Sequence, residues 1–191
     1  MPLVQAALIG AKKGLIAEDR FDRPDAGALG AADTGQVWTQ FYGGGGIVSS
    51  AARLTSDAAA YLELYRSDVE VECTIRATVD EPIHPGLVFR AVDTDDLWYV
   101  ELRISGDQLR LVKRVANVDT EVFSENIALG LNVRYKVKVK GIGPSISVYL
   151  DDTLRSTVSD SQHQNGTRHG LFQAGGSSNY RWDDFQVSRA K

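Results

Sequence analysis

Six side chains have the types and spacing to hold a polar ligand on the face of a sheet: Arg76, Arg90, Tyr99, Glu101, Arg103 and Tyr149. From Trp98 to Arg103 apolar and polar residues alternate, the period of a half-buried strand. If Trp98, Val100 and Leu102 point into a core, Tyr99, Glu101 and Arg103 point away from it. Arg76, Arg90 and Tyr149 share that outward parity in their own strands. An aromatic ring surrounded by guanidinium donors and carboxylate acceptors suits a sugar, which has an apolar face and a hydroxyl rim. The same residue types also line exposed sheet faces for cross-strand pairing alone.

A second constellation is acidic. Asp19 and Asp22 near the start, and Asp183 and Asp184 near the end, are the oxygen donors for a structural calcium, with loop carbonyls completing its six to eight ligands. Their other reading is strand-end capping and pairing with Arg20, Arg23 or Arg181. No other cofactor is implied. His84 precedes Pro85 in a turn, and His163 and His169 flank Gly166 at a spacing unlike the i, i+4 pair of a helical zinc motif. Cys73 is the single cysteine, so no internal disulfide forms, and alternation places it on an apolar face. Gly43 to Gly46 reads as a flexible connection. It lacks the lysine and following helix of a phosphate-cradling loop.

These residues must be positioned by strands. The segment Val69 to Val79 puts apolar residues at odd positions almost without a break. Gly86–Val92 and Leu97–Ile104 flank the turn Asp93-Thr94-Asp95-Asp96 and predict a hairpin. Gln108–Val115, Tyr135–Lys140 and Ile146–Leu150 follow, and Lys136, Lys138 and Lys140 form a solvated face or protect a sheet edge. An opening strand, Glu18 to Arg23, answers a closing one, Arg181 to Val187. That pattern predicts an all-β, two-sheet antiparallel sandwich with adjoining termini. Trp38 and Trp182 pack in its core or seal its ends. Residues 1–17 read as an apolar N-terminal arm, and residues 18–191 as the sandwich domain.

Composition sets the bounds. The 191 residues suit one domain, and a hydrophobic fraction of 43% supplies a full core. A net charge of −4 argues against a nucleic-acid partner. No apolar run reaches the roughly 18 residues of a membrane span. Lys12 and Lys13 follow the first apolar stretch, whereas a Sec signal has its basic residues ahead of it. The chain therefore reads as made in the cytosol without a Sec signal.

The order of the segments Asp19–Arg23, Leu29-Gly30, Gly35–Trp38, Gly86–Arg90, Trp98–Val100, Tyr135–Val139, Val148–Asp152, Gly166–Gly170 and Asp183–Phe185 resembles the concanavalin A-like lectin/glucanase superfamily, in its laminin-G-like branch. The resemblance covers about residues 18 to 189. It implies a jelly roll that meets sugar or protein ligands on its concave face or rim loops. Glucanases of that superfamily carry Glu-x-Asp-x-x-Glu on one strand. Here Glu70 and Glu72 are followed by Cys73, Thr74 and Ile75, so the chain is not expected to be an enzyme, and glycoside hydrolase is the last-ranked reading. An arm and no export signal resemble bacteriophage minor tail or other virion proteins. The leading expectation is thus a non-enzymatic virion-surface module, anchored through its arm to other virion proteins or to itself as a homo-oligomer. The alternative is a carbohydrate-binding module for cell-surface or environmental glycans.

Overall fold

Alternating segments become strands throughout the chain. A computed structural model describes residues 14–79, 82–176 and 179–191. It contains β1 (Leu15–Asp19), β2 (Thr39–Ile47), β3 (Ala52–Glu63), β4 (Val69–Ala77), β5 (His84–Ala91), β6 (Leu97–Arg103), β7 (Gln108–Val115), β8 (Val118–Asn126), β9 (Arg134–Ile142), β10 (Ser145–Leu150), β11 (Thr153–Ser159), β12 (Arg168–Ala174) and β13 (Tyr180–Arg189). One 3-10 turn, Ile104–Gly106, follows β6, and the described residues form no α-helix. No helix is long and apolar enough to cross a membrane.

All pairings are antiparallel and build two layers. One sheet runs β11-β10-β9-β4-β13-β1, the other β2-β3-β12-β5-β6-β7-β8, and a single bridge, Trp182 to Ala52, joins them at one side. The inward residues interdigitate as one core. Val71, Cys73 and Ile75 of β4 and Val137 and Val139 of β9 meet Leu87 and Phe89 of β5 and Trp98, Val100 and Leu102 of β6. Each fully buried side chain of this size contributes about 1.5–3 kcal/mol. Trp182 also ties the layers together, its Nε1–H donating to the Gly86 carbonyl at 2.9 Å. Burial pushes the Cys73 thiol up, which suits its role as core filler.

The hairpin of β5 and β6, the strands at β7, β9 and β10, and the pairing of an opening strand with the closing one stand as expected. Four local expectations change. The opening strand is Leu15–Asp19 rather than Glu18–Arg23, because the Asp19 carboxylate accepts the Phe21 N–H at 2.9 Å and Phe21 takes a left-handed φ of 56°. Residues 15–17, assigned to the arm, thus begin the sandwich by pairing with β13, while residues 1–13 lie outside the described residues. Gly43 to Gly46 is not a connection but part of β2. A Cβ on Gly43 would run into the Asp57 carbonyl, and one on Gly46 into that of Ala26. Lys136, Lys138 and Lys140 guard no edge either, since β9 lies between β4 and β10 and faces Glu70, Glu72 and Tyr149 across the strands.

Candidate functional site

The seven-stranded sheet carries a second apolar cluster on the face turned away from the core. Register aligns Val88, Tyr99 and Val112 across β5, β6 and β7. With Ala59, Ala91, Leu97 and Phe172 they form a buried floor, and Phe41 and Tyr42 of β2 pack against it. Tyr99 and Phe172 stack at 4.1 Å with 19° between their planes. Exposed sheet faces do not ordinarily bury a tyrosine to 5% of its surface.

Charged groups rim this floor in pairs. Arg114 lies 5.7 Å over the Tyr99 ring and grips Asp119 with two bonds of 2.7 and 2.9 Å. The two residues flank the tight turn Ala116-Asn117, whose φ values of 48° and 62° are those of a type I′ hairpin. Burial pushes the Tyr99 phenol well above its ordinary range, and Asp119 with its charge adds to the shift. Asp119 itself loses solvation here, yet the Arg114 fork holds its carboxyl below the usual range. Beside this group Tyr42, Asp57, Arg114, Phe172, Gln173 and Ala174 enclose a hollow of about 210 Å³.

Along the same face, Glu101 is the central acceptor. It takes Arg103 Nε at 2.9 Å and Arg110 Nη1 at 2.6 Å, and His84 Nδ1 stands 3.7 Å away. Arg110 extends the row to Glu121 at 2.5 Å. Burial raises the Glu101 pKa, while His84 and Arg110 oppose it. Burial lowers that of His84. On the β2 side, Arg168 lies over the Phe41 and Tyr61 rings and pairs with Glu63 at 3.1 Å.

The six sequence-derived residues therefore divide among three places. Tyr99, Glu101 and Arg103 share the outer face of the seven-stranded sheet, as their parity required, but Tyr99 and Glu101 are buried in it. Arg76 and Tyr149 occupy the outer face of the other sheet, where Lys138 covers the Tyr149 ring at 4.7 Å. Alternation distinguishes inside from outside and carries no information about which sheet a strand joins. Arg90 is on neither face. Its φ of 48° breaks the alternation of β5, and its fully buried guanidinium reaches the Ser67 carbonyl at 3.0 Å, the Gly143 carbonyl at 2.8 Å and Asp68 at 3.0 Å. The space it fills exists because residue 141 is glycine: a Cβ there would stand 2.7 Å from the guanidinium carbon.

His169 locks the same bulge. Its Nδ1 accepts the Arg90 N–H at 3.2 Å, and its Nε2 hydrogen is donated to the Arg66 carbonyl at 2.8 Å. Only the neutral ring does both, and burial pushes its pKa down to about 4.

The calcium candidates do not form a donor set. Asp19 is fully buried, held by two bonds from Arg23 at 2.7 and 2.9 Å and one from Trp38 Nε1 at 2.7 Å. Asp183 and Asp184 face Arg134 at 2.8 and 3.4 Å, and with Asp22 and Arg20 they border an open hollow. Among the described residues no three His, Cys, Asp or Glu side chains are grouped to hold a metal. The pairing with arginine that competes with calcium in the sequence is what the geometry displays, although the partners are Arg23 and Arg134.

Tyr42, Phe172, Arg114, Asp119 and Asp57 were not singled out in the sequence. For Tyr42 the available signal was Phe41-Tyr42 ahead of the glycines, an aromatic pair typical of a strand. For Arg114 and Asp119 it was opposite charge placed symmetrically about Ala116-Asn117.

No family model and no curated protein matches this chain in sequence. Solved structures match it in shape. The carbohydrate-binding module CBM66 from Bacillus subtilis superposes with a TM-score of 0.69 at 16% identity, over 79% of this chain and 94% of that one. A LamA variant from Zobellia galactanivorans, solved with laminaritriose and laminaritetraose, gives 0.65 at 9% identity over 93% and 100%. The galectin LEC-6 from Caenorhabditis elegans gives 0.52 at 13% over 67% and 87%. At these identities the likeness is one of fold, and the fold is the concanavalin A-like jelly roll that the order of motifs resembled.

Proposed function

We propose that the protein is a carbohydrate-binding module whose site is the outer face of the seven-stranded sheet around Tyr42, Phe172 and Arg114. The observation that carries this reading is the hollow of about 210 Å³ over a stacked aromatic floor, rimmed by Arg114, Asp57 and Gln173. Aromatic carbon takes the apolar face of a sugar, and the rim supplies donors and acceptors for its hydroxyls. The arginine–carboxylate pairs hold these groups in place before any ligand arrives, which reduces the ordering cost of binding. The neighbouring folds include a carbohydrate-binding module and a galectin, and this favours glycan binding over the virion-surface role. That role rested on an arm whose residues 1–13 are outside the described part.

Binding without hydrolysis is supported by the state of the carboxylates. Hydrolysis of a glycosidic bond needs two carboxyl groups facing the bond from opposite sides. Here Glu101 is 2% exposed and held by two arginines, and Asp119 is gripped by Arg114. The test is an array of neutral polysaccharides followed by titration of each positive. Tyr42→Ala should weaken binding at least tenfold with an unchanged fold, and no reducing ends should appear. A silent array, or equal affinity for Tyr42→Ala and the parent, would overturn the assignment.

A further inference from the structure

Three arginines stand side by side across the outer face of the six-stranded sheet. Arg181 on β13 pairs in register with Arg76 on β4, and Arg76 with Arg134 on β9. Neighbouring strands lie about 4.8 Å apart, and like charges directly opposite one another destabilise a sheet. Arg53 near the start of β3 joins them. Burial, and after it the charges of Arg53 and Arg76, lower the pKa of Arg181. The chain as a whole is acidic, with a net charge of −4, so general basicity does not explain the cluster.

Compensation within the protein is partial. Arg134 donates to Asp183 and Asp184. Arg76 is exposed and its guanidinium makes no ion pair or hydrogen bond among the described residues. The Nε of Arg53 is buried and has no hydrogen-bond partner among the described residues. Ser49, Ser50, Thr74, Arg76, Arg134 and Arg181 line a hollow of about 70 Å³, together with Ala51 and with Asp183, whose carboxylate Arg134 holds at 2.8 Å. A hollow of this size admits a group of a few heavy atoms. Ser49 and Ser50 are both left-handed, with φ of 52° and 55°, at the tight turn that brings them beside the arginines.

We propose that this hollow is a binding site for a tetrahedral oxoanion, sulfate or phosphate, taken as the free ion or as an ester on a polysaccharide. Guanidinium forks match the spacing of oxoanion oxygens and make charge-assisted bonds with them, and the hydroxyls of Ser49, Ser50 and Thr74 are further donors. A bound dianion removes the repulsion that the register imposes. The site is on the opposite side of the sandwich from the aromatic floor and does not depend on the sugar reading.

The experiment compares the full chain with Arg76→Ser and Arg76→Glu, whose melting temperatures in chloride confirm the fold. Sulfate stabilises proteins in general by exclusion from their surfaces, so the readout is the difference between parent and variant at matched ionic strength. Sulfate and phosphate should raise the melting temperature of the parent more than that of Arg76→Ser, with an apparent affinity at least tenfold higher, and Arg76→Glu should show no specific response. Calorimetry with sulfated and unmodified dextran identifies the source: binding of the sulfated polymer alone assigns an ester, and equal response to the free ion assigns the ion. Tyr42→Ala should retain the response, which separates this site from the sugar face. Identical titrations for the parent and both Arg76 variants, with free sulfate and with sulfated dextran alike, would overturn the proposal.

Discussion

The two outer faces of this sandwich are built on opposite principles. On the seven-stranded sheet the arginines that rim the aromatic floor are matched by neighbours: Arg114 by Asp119, Arg110 by Glu101 and Glu121, Arg168 by Glu63. Arg114 stands over the buried Tyr99 ring, and Arg168 over the half-buried rings of Phe41 and Tyr61. On the six-stranded sheet one row places arginine against arginine against arginine, and the charge is only partly answered by Asp183 and Asp184. A face of matched charges over aromatic carbon is prepared for a neutral polyol. A face with surplus charge of one sign is prepared for an anion. The comparison also separates groups that support the fold from groups available to a ligand, because a matched pair has structural work and an unmatched arginine has little.

Substitution of the rings tests this most severely. Tyr99→Ala should destabilise the protein by about 4 kcal/mol, as expected for an aromatic removed from a packed floor, measured by urea unfolding. A loss below about 1 kcal/mol would mean that the second cluster is surface decoration, and the contrast between the faces would collapse.

Acid separates the two sides next. His169 sits under the seven-stranded sheet with its pKa pushed down by burial to about 4. A base whose folded pKa lies below its unfolded value near 6.5 contributes stability that is complete above pH 6.5 and is lost as pH falls toward 4. The shift corresponds to about 3 kcal/mol over that window. Unfolding free energies across it should slope less in His169→Gln than in the parent. Parallel slopes would show that the fold does not hold the ring neutral and would overturn its assigned role.

The smallest effect belongs to the arginine face. Arg76→Ser should leave stability in chloride unchanged or raise it by up to about 0.5 kcal/mol, since it relieves two like-charge contacts and breaks no bond. A loss above about 1 kcal/mol would assign Arg76 a structural role and erase the difference between the faces.

Much of the architecture was legible from period alone. Strands β4, β6, β7, β9 and β10 are buried on one side or both and write their burial into the sequence at every second residue. Strands β8 and β11 each form one edge of a sheet, are largely exposed, and carry no such record. β2 was hidden by its glycines, whose purpose is to let the backbone of β3 and the Ala26 carbonyl approach closely. Trp38 and Trp182 are buried as expected, and each gives its indole N–H to an acceptor that no local pattern names: Asp19 for one, the Gly86 carbonyl for the other.

The site divides along the same line. Residue types and alternation sufficed to place Tyr99, Glu101 and Arg103 together on an outer face, because neighbours on one strand share a face by geometry. They also established an all-β chain whose opening strand pairs with its closing one. Which sheet each strand enters depends on contacts between segments distant in the chain, such as Arg181 with Arg76 and Phe172 with Tyr99. Only the folded structure could therefore put Arg76 and Tyr149 on the far side and bury Arg90 at a bulge. It alone assembled the floor from Tyr42, Tyr99 and Phe172, since cross-strand order is settled by packing of the whole core and not by any local preference.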